Sequence, residues 1–143
     1  MPVRIHAALE RWRVAERHLA ATPTDSPERH DAEDAMAEAQ RTYGDRIRWF
    51  TSLPWEYPGR AIDELSRSCD EGAVGVMVIA NVAGRSLTEP AFEPIWSEID
   101  RRALPVLIHP GEPPGTDLMD MRRYDLSWLV GFMFDTTLAI ERM

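Results

Sequence analysis

Short apolar runs alternate with helical patterns along the second two thirds of this chain, and that alternation narrows the folds open to it. Ile47-Arg48-Trp49-Phe50-Thr51-Ser52-Leu53, Val74-Gly75-Val76-Met77-Val78-Ile79-Ala80 and Leu104-Pro105-Val106-Leu107-Ile108-His109-Pro110 read as strands, with helical spacing over 60–71 and 90–102 between them. Strand, helix and strand in succession call for parallel pairing in chain order, because a right-handed crossover returns the chain to the same end of the sheet. The third run predicts a strand buried on both faces, with His109 as the first residue free of the ladder, since Pro110 cannot extend the pairing. In a parallel sheet the strand carboxyl ends share one edge, so Pro54-Trp55, Asn81 and His109 are expected together at a functional mouth.

Composition removes several alternatives. At 143 residues and 44% apolar the chain suits one globular domain with its own core. Its net charge of -8 offers no basic stripe for nucleic acid. All 16 basic residues are arginine, so Schiff-base and P-loop lysine chemistry are excluded within the chain. Cys69 is the only cysteine, which rules out an intrachain disulfide or a cysteine-rich zinc site; it falls on a helical stripe with Ala61, Ile62 and Leu65 and reads as a packed thiol. The first residues run straight into charged helix, with no apolar leader and no membrane-length segment, so a cytoplasmic protein is expected.

Before the first strand, Ile5, Ala8, Leu9, Trp12, Ala15 and Leu19 predict an amphipathic helix over 3–21. A second runs from Pro27, capped by Ser26, to about Tyr43. His6, His18 and His30 read as solvated helix histidines. Trp55 and Tyr57 in the loop after the first strand either line the mouth or cover the end of the sheet. The stretch 81–87 reads as a polar loop in which Arg85 either clamps a substrate carboxylate or pairs with Glu89. Phe92, Ile95, Trp96 and Ile99 should pack on the sheet. Residues 111–115 form a rim loop. The last helix, about 125–142, is apolar nearly all round, so its Asp135 must face the mouth or a buried polar network. That helix runs to Met143 with no stop signal.

Three segments, Asp45 to Pro54, Gly75 to Leu87 and Leu104 to Pro110, joined by Phe92-Glu93-Pro94-Ile95-Trp96 and followed by Gly131 to Ile140, resemble the amidohydrolase-related superfamily. The likeness is to its branch of aminocarboxymuconate-semialdehyde and resorcylate decarboxylases, and it covers roughly residues 43–142. It implies a partial (β/α)8 barrel of about three parallel strands with flanking helices, preceded by two N-terminal helices: a single domain over 1–143, with a helical segment 1–43 and β/α units 44–143. It also implies a divalent metal, usually zinc, at the strand carboxyl ends, and His109 matches the middle-strand histidine ligand of that family. The His-x-His pair of the first family strand is absent here, as are ligands beyond the last helix. The resemblance therefore implies zinc in a complete family member and an incomplete site in this chain alone.

The function expected on this basis is a metal-dependent carboxy-lyase or hydrolase acting on a small carboxylic acid, with His109 as metal ligand and Asn81, Arg85 and Trp55 as substrate contacts. The alternative is a non-catalytic barrel fragment that acts through self-association, as a homo-oligomer, or through partner binding. A flavodoxin-like nucleotide binder is disfavoured, because Leu53-Pro54-Trp55-Glu56 is no glycine-rich turn.

Overall fold

The computed structural model describes residues 27–111, 115–121 and 125–143. The helix expected over 3–21 with its His6 and His18, the Ser26 cap and Glu112 of the rim loop lie outside the described residues. Helix α1 (Pro27–Thr42) comes first. Its Met36 and Ala37 pack against Trp49 and Ala73 in a small core of their own. The chain continues through β1 (Thr51–Ser52), α2 (Pro58–Asp70), β2 (Val76–Ile79), β3 (Asn81–Val82) and β4 (Arg85–Ser86). A 3-10 turn at Pro90–Phe92 leads into α3 (Glu93–Arg101), followed by β5 (Val106–His109). A π-helical turn at Ser127–Gly131 then opens α4 (Phe132–Arg142). Among the described residues, no helix is long and apolar enough to cross a membrane.

The main sheet has the order β1-β2-β5 and is parallel throughout, as the alternation of strands and helices predicts. Register places Thr51 beside Val76 and Val76 beside Val106, with Ile108 beside Val78. Side chains alternate between faces along a strand, so these residues share one face. Helices α2 and α3 cover it. Ala61, Leu65, Ile95 and Ile99 pack there with Val76, Val78 and Phe92, and none of these is more than 3% exposed. Each large side chain buried in this way stabilises the fold by about 1.5–3 kcal/mol. Cys69 packs, partly buried, against the same core, as its helical stripe predicts. The buried hydroxyls of Thr51 and Ser68 satisfy each other at 2.8 Å.

On the opposite face stand Ser52, Met77, Leu107, Ile79 and His109. The expectation of a third strand buried on both sides fails here, for Leu107 is 49% exposed and His109 is exposed as well; Ile79 beside it on β2 is 41% exposed. The physical reason is that the two crossover helices both pack on one side, and no comparable layer of described residues covers the other. His109 is also not free of the ladder. It pairs with Ile79, and its carbonyl accepts a hydrogen bond from the Ala80 N–H at 2.9 Å. Pro110 removes a donor only at its own nitrogen, which leaves the His109 carbonyl able to pair.

The last helical segment departs from expectation too. Its inward stripe is Gly131, Asp135 and Ala139, four residues apart and buried. The bulky side chains turn outward, with Trp128 and Leu129 each 69% exposed and Met133 68%. A run that is apolar nearly all round in sequence thus turns only this narrow stripe toward the interior.

Candidate functional site

The carboxyl ends of β2 and β5 meet at one buried carboxylate. Asp135 of α4 is 2% exposed. One of its oxygens, Oδ2, accepts the Gly111 backbone N–H at 2.8 Å. Both oxygens accept from Asn81 Nδ2, at 3.1 and 3.3 Å. This is the buried polar network that an aspartate within an apolar run requires. The Gly111 half of it carries no recognisable sequence signal. A Cβ at Gly111 would stand 2.7 Å from Ile79 Cγ2, so only bare backbone comes close enough to reach the carboxylate.

Past β2 the polar loop expected over 81–87 takes the form of a hairpin. β3 and β4 pair antiparallel, with Asn81 opposite Ser86 and Val82 opposite Arg85. Ala83 (φ 52°) and Gly84 (φ 79°) both take left-handed conformations in the two-residue turn, the arrangement whose twist suits a tight hairpin. Ala-Gly is a weak signal for such a turn, whereas Asn-Gly is a strong one, so the pattern gave little warning. The Gly84 N–H donates to Asn81 Oδ1 at 2.9 Å. Asn81 thereby links the hairpin to Asp135.

His109 closes β5 on the exposed face of the sheet. Its Nδ1 lies 2.7 Å from the Pro110 carbonyl oxygen. A carbonyl can only accept, so Nδ1 carries a proton; in the neutral ring Nε2 then has the lone pair, the form in which imidazole serves as a metal ligand.

The remaining candidates sit differently. Arg85 Nε and Nη2 donate to Glu89 Oε2 at 3.0 and 2.7 Å, and the guanidinium lies 4.7 Å from the Phe92 ring centroid. The pairing of Arg85 with Glu89 that the sequence offers as one of its two roles is formed. Trp55 is 4% exposed and belongs to the main core. It meets Phe92 edge-on at 5.8 Å and Trp96 at 4.9 Å, so the structure closes the end of the sheet with it. Tyr57 instead is 57% exposed, with the Arg60 guanidinium over its ring.

A divalent centre needs about three protein ligands. Among the described residues, no three His, Cys, Asp or Glu side chains gather to hold one. Asp135 is already engaged by three donor contacts from two groups. The residues present thus fit one metal donor, His109, and not a complete centre.

No family model matches the chain. It is 40% identical over 111 residues to a 2-amino-3-carboxymuconate-6-semialdehyde decarboxylase of Dictyostelium discoideum, a match that covers 77% of this chain and 30% of that protein. It is 35% identical over 111 residues to a gamma-resorcylate decarboxylase of Rhodococcus jostii (strain RHA1), covering 70% of this chain and 33% of the relative. Among solved structures, a 5-carboxyvanillate decarboxylase from Novosphingobium aromaticivorans with bound manganese superposes with a TM-score of 0.72 at 26% identity, over 79% of this chain and 33% of that one. A 2,6-dihydroxybenzoate decarboxylase complexed with 2,6-dihydroxybenzoate gives 0.67 at 27% identity, over 79% and 38%. This chain spans 30% and 33% of the length of those two curated relatives.

Proposed function

Starting from a chain related to the decarboxylases of the amidohydrolase-related superfamily, with a three-stranded parallel part of a barrel, we propose that it supplies one sector of a decarboxylase site for a small carboxylic acid. The observation that carries this reading is His109: a strand-end imidazole on the exposed sheet face whose Nδ1–H donates to the Pro110 carbonyl, an arrangement that in the neutral ring gives the lone pair to Nε2. In this reading His109 is one ligand of a divalent cation, zinc or the manganese held by a structural neighbour. The other ligands come from outside the described residues. Arg85 is the substrate contact for a carboxylate, held at the rim by Glu89 and Phe92. Asn81 and Trp55 shape the same rim, Asn81 through Asp135 and Trp55 through the aromatic packing below it.

We further propose that residues 1–143 form a single domain, divided at about residue 43, in a cytoplasmic protein with no nucleic-acid or membrane partner. The exposed apolar side chains Ile79, Leu107, Trp128, Leu129 and Met133 support homo-oligomerisation as a further part of it. A graft tests the function. Residues 43–142 replace the matching segment of the Rhodococcus relative, and release of carbon dioxide from gamma-resorcylate is measured. An active graft that dies with His109→Ala is expected; a folded, metal-loaded graft without activity, or one indifferent to His109→Ala, contradicts the proposal.

A further inference from the structure

Resting on the reading of His109 as a metal donor, we infer that Asp135 is a positioning residue that orients the His109 ring through the single peptide unit between Pro110 and Gly111. The N–H of that unit belongs to Gly111 and donates to Asp135 Oδ2 at 2.8 Å. The carbonyl of the same unit belongs to Pro110 and accepts from His109 Nδ1 at 2.7 Å. A peptide unit is planar and trans, so fixing the direction of its N–H fixes the direction of its C=O. The chain Asp135 carboxylate, peptide, imidazole therefore transmits orientation from a buried helix residue to an exposed ring.

Three features make the carboxylate a firm anchor. It is 2% exposed, where an anion is tolerated only if donors meet it, and hydrogen bonds to an ionised acceptor are shorter and stronger than neutral ones. Asn81, the first residue of β3 just past the end of β2, supplies the second donor, so Asp135 is braced from the hairpin as well as from the chain that follows β5. Gly111 admits the approach, because a Cβ there would stand 2.7 Å from Ile79 Cγ2 and push the backbone away from the carboxylate. Polarisation runs the same way: a peptide whose N–H points at a carboxylate has a better acceptor carbonyl, which favours the proton on Nδ1 and the lone pair on Nε2.

The test reads the His109 tautomer directly, in the full chain without metal, from the ring nitrogen shifts at a pH where the ring is neutral. Wild type should show mainly the Nδ1–H form. Asp135→Ala should lower the ratio of Nδ1–H to Nε2–H at least fivefold, while amide exchange at Val78 and Ile108 changes by less than twofold. In the exchanged pair Asn81→Asp with Asp135→Asn, the side-chain amide introduced at position 135 can accept from the Gly111 N–H and donate to residue 81, and the ratio should return to near its starting value. Should Asp135→Ala fail to fold, Asp135→Asn alone carries the comparison, with a fall of about twofold expected for the one link lost. An unchanged ratio, a change matched by equal acceleration across the β2–β5 amides, or no recovery in the exchanged pair would overturn the inference. Because no metal is present, this result is separate from the metal reading: an Mn2+ ion that fails to reach His109 would sink that reading and leave the tautomer ratio as stated.

Discussion

The two faces of the β1-β2-β5 sheet are built from the same strands and nearly the same residue types, yet they meet different surroundings. Thr51, Val76 and Val78 on one face are buried under α2 and α3, and Val106 and Ile108 at the edge strand are partly so. Ser52, Met77, Ile79, Leu107 and His109 on the other face remain half-buried or exposed. Strand pattern records alternation and not what lies beyond each face. The difference teaches that packing stability resides on the helix-covered face, whereas the open one carries His109 and the exposed apolar side chains on which the proposed function and association rest.

Core truncation is the strongest way to break this comparison. Leu65→Ala, at a side chain with no exposure, should cost about 2–5 kcal/mol in denaturant unfolding. Leu107→Ala on the open face should cost no more than about 1 kcal/mol. Equal losses would mean that the open face is covered in solution.

Association provides the second. Leu107→Glu should leave the unfolding midpoint within the range of a surface change while shifting light scattering toward monomer. A chain that is already a clean monomer at tens of micromolar, an order of concentration where exposed apolar surface associates, would show that apolar exposure here has no partner of its own kind.

Much of the covered face was legible in the sequence. The apolar runs, the helical spacing of Phe92, Ile95 and Ile99, and the order of alternation all point to it, because period and turn residues encode local structure directly. The open face was less legible. Leu107 looks like a core residue in any local pattern, and only the placement of both crossover helices on the other side exposes it. Asp135 stood out because a carboxylate in an apolar run demands donors, but its chief donor is a backbone N–H at Gly111, which no side-chain pattern marks. Ala83 at φ 52° hid the hairpin for a similar reason, since alanine seldom signals a left-handed turn.

That turn allows a smaller test at the rim of the open face. A non-glycine residue in the left-handed region costs roughly 1–2 kcal/mol, so Ala83→Asn should raise stability by about 0.5–1 kcal/mol, with asparagine better tolerated there. A loss of stability would mean that the turn has another shape in solution.

The smallest effect belongs to the covered side. Hydrogen bonds from Arg101 and then Arg102 lower the Glu98 pKa from 4.5 to about 2. A carboxyl lowered on folding contributes stability above its unfolded value and loses it as pH falls through the folded one. The contribution of Glu98 should therefore be intact at neutral pH and fade between pH 4.5 and about 2. Glu98→Gln should remove that part of the acid response and leave Leu107 and His109 signals unmoved. An unaltered acid profile would show that the pairs are worth nothing at this helix end.

The central claim, that the open face is the functional one and His109 its metal donor, is tested most directly by titrating the full chain with Mn2+ and mapping paramagnetic broadening of ring and methyl resonances. The His109 ring should broaden first, followed by the Ile79 and Leu107 methyl groups on its face, with Val76 and Ile95 on the covered side less affected and the whole pattern lost in His109→Ala. Broadening centred on the acidic helix surfaces, with His109 untouched, would contradict it.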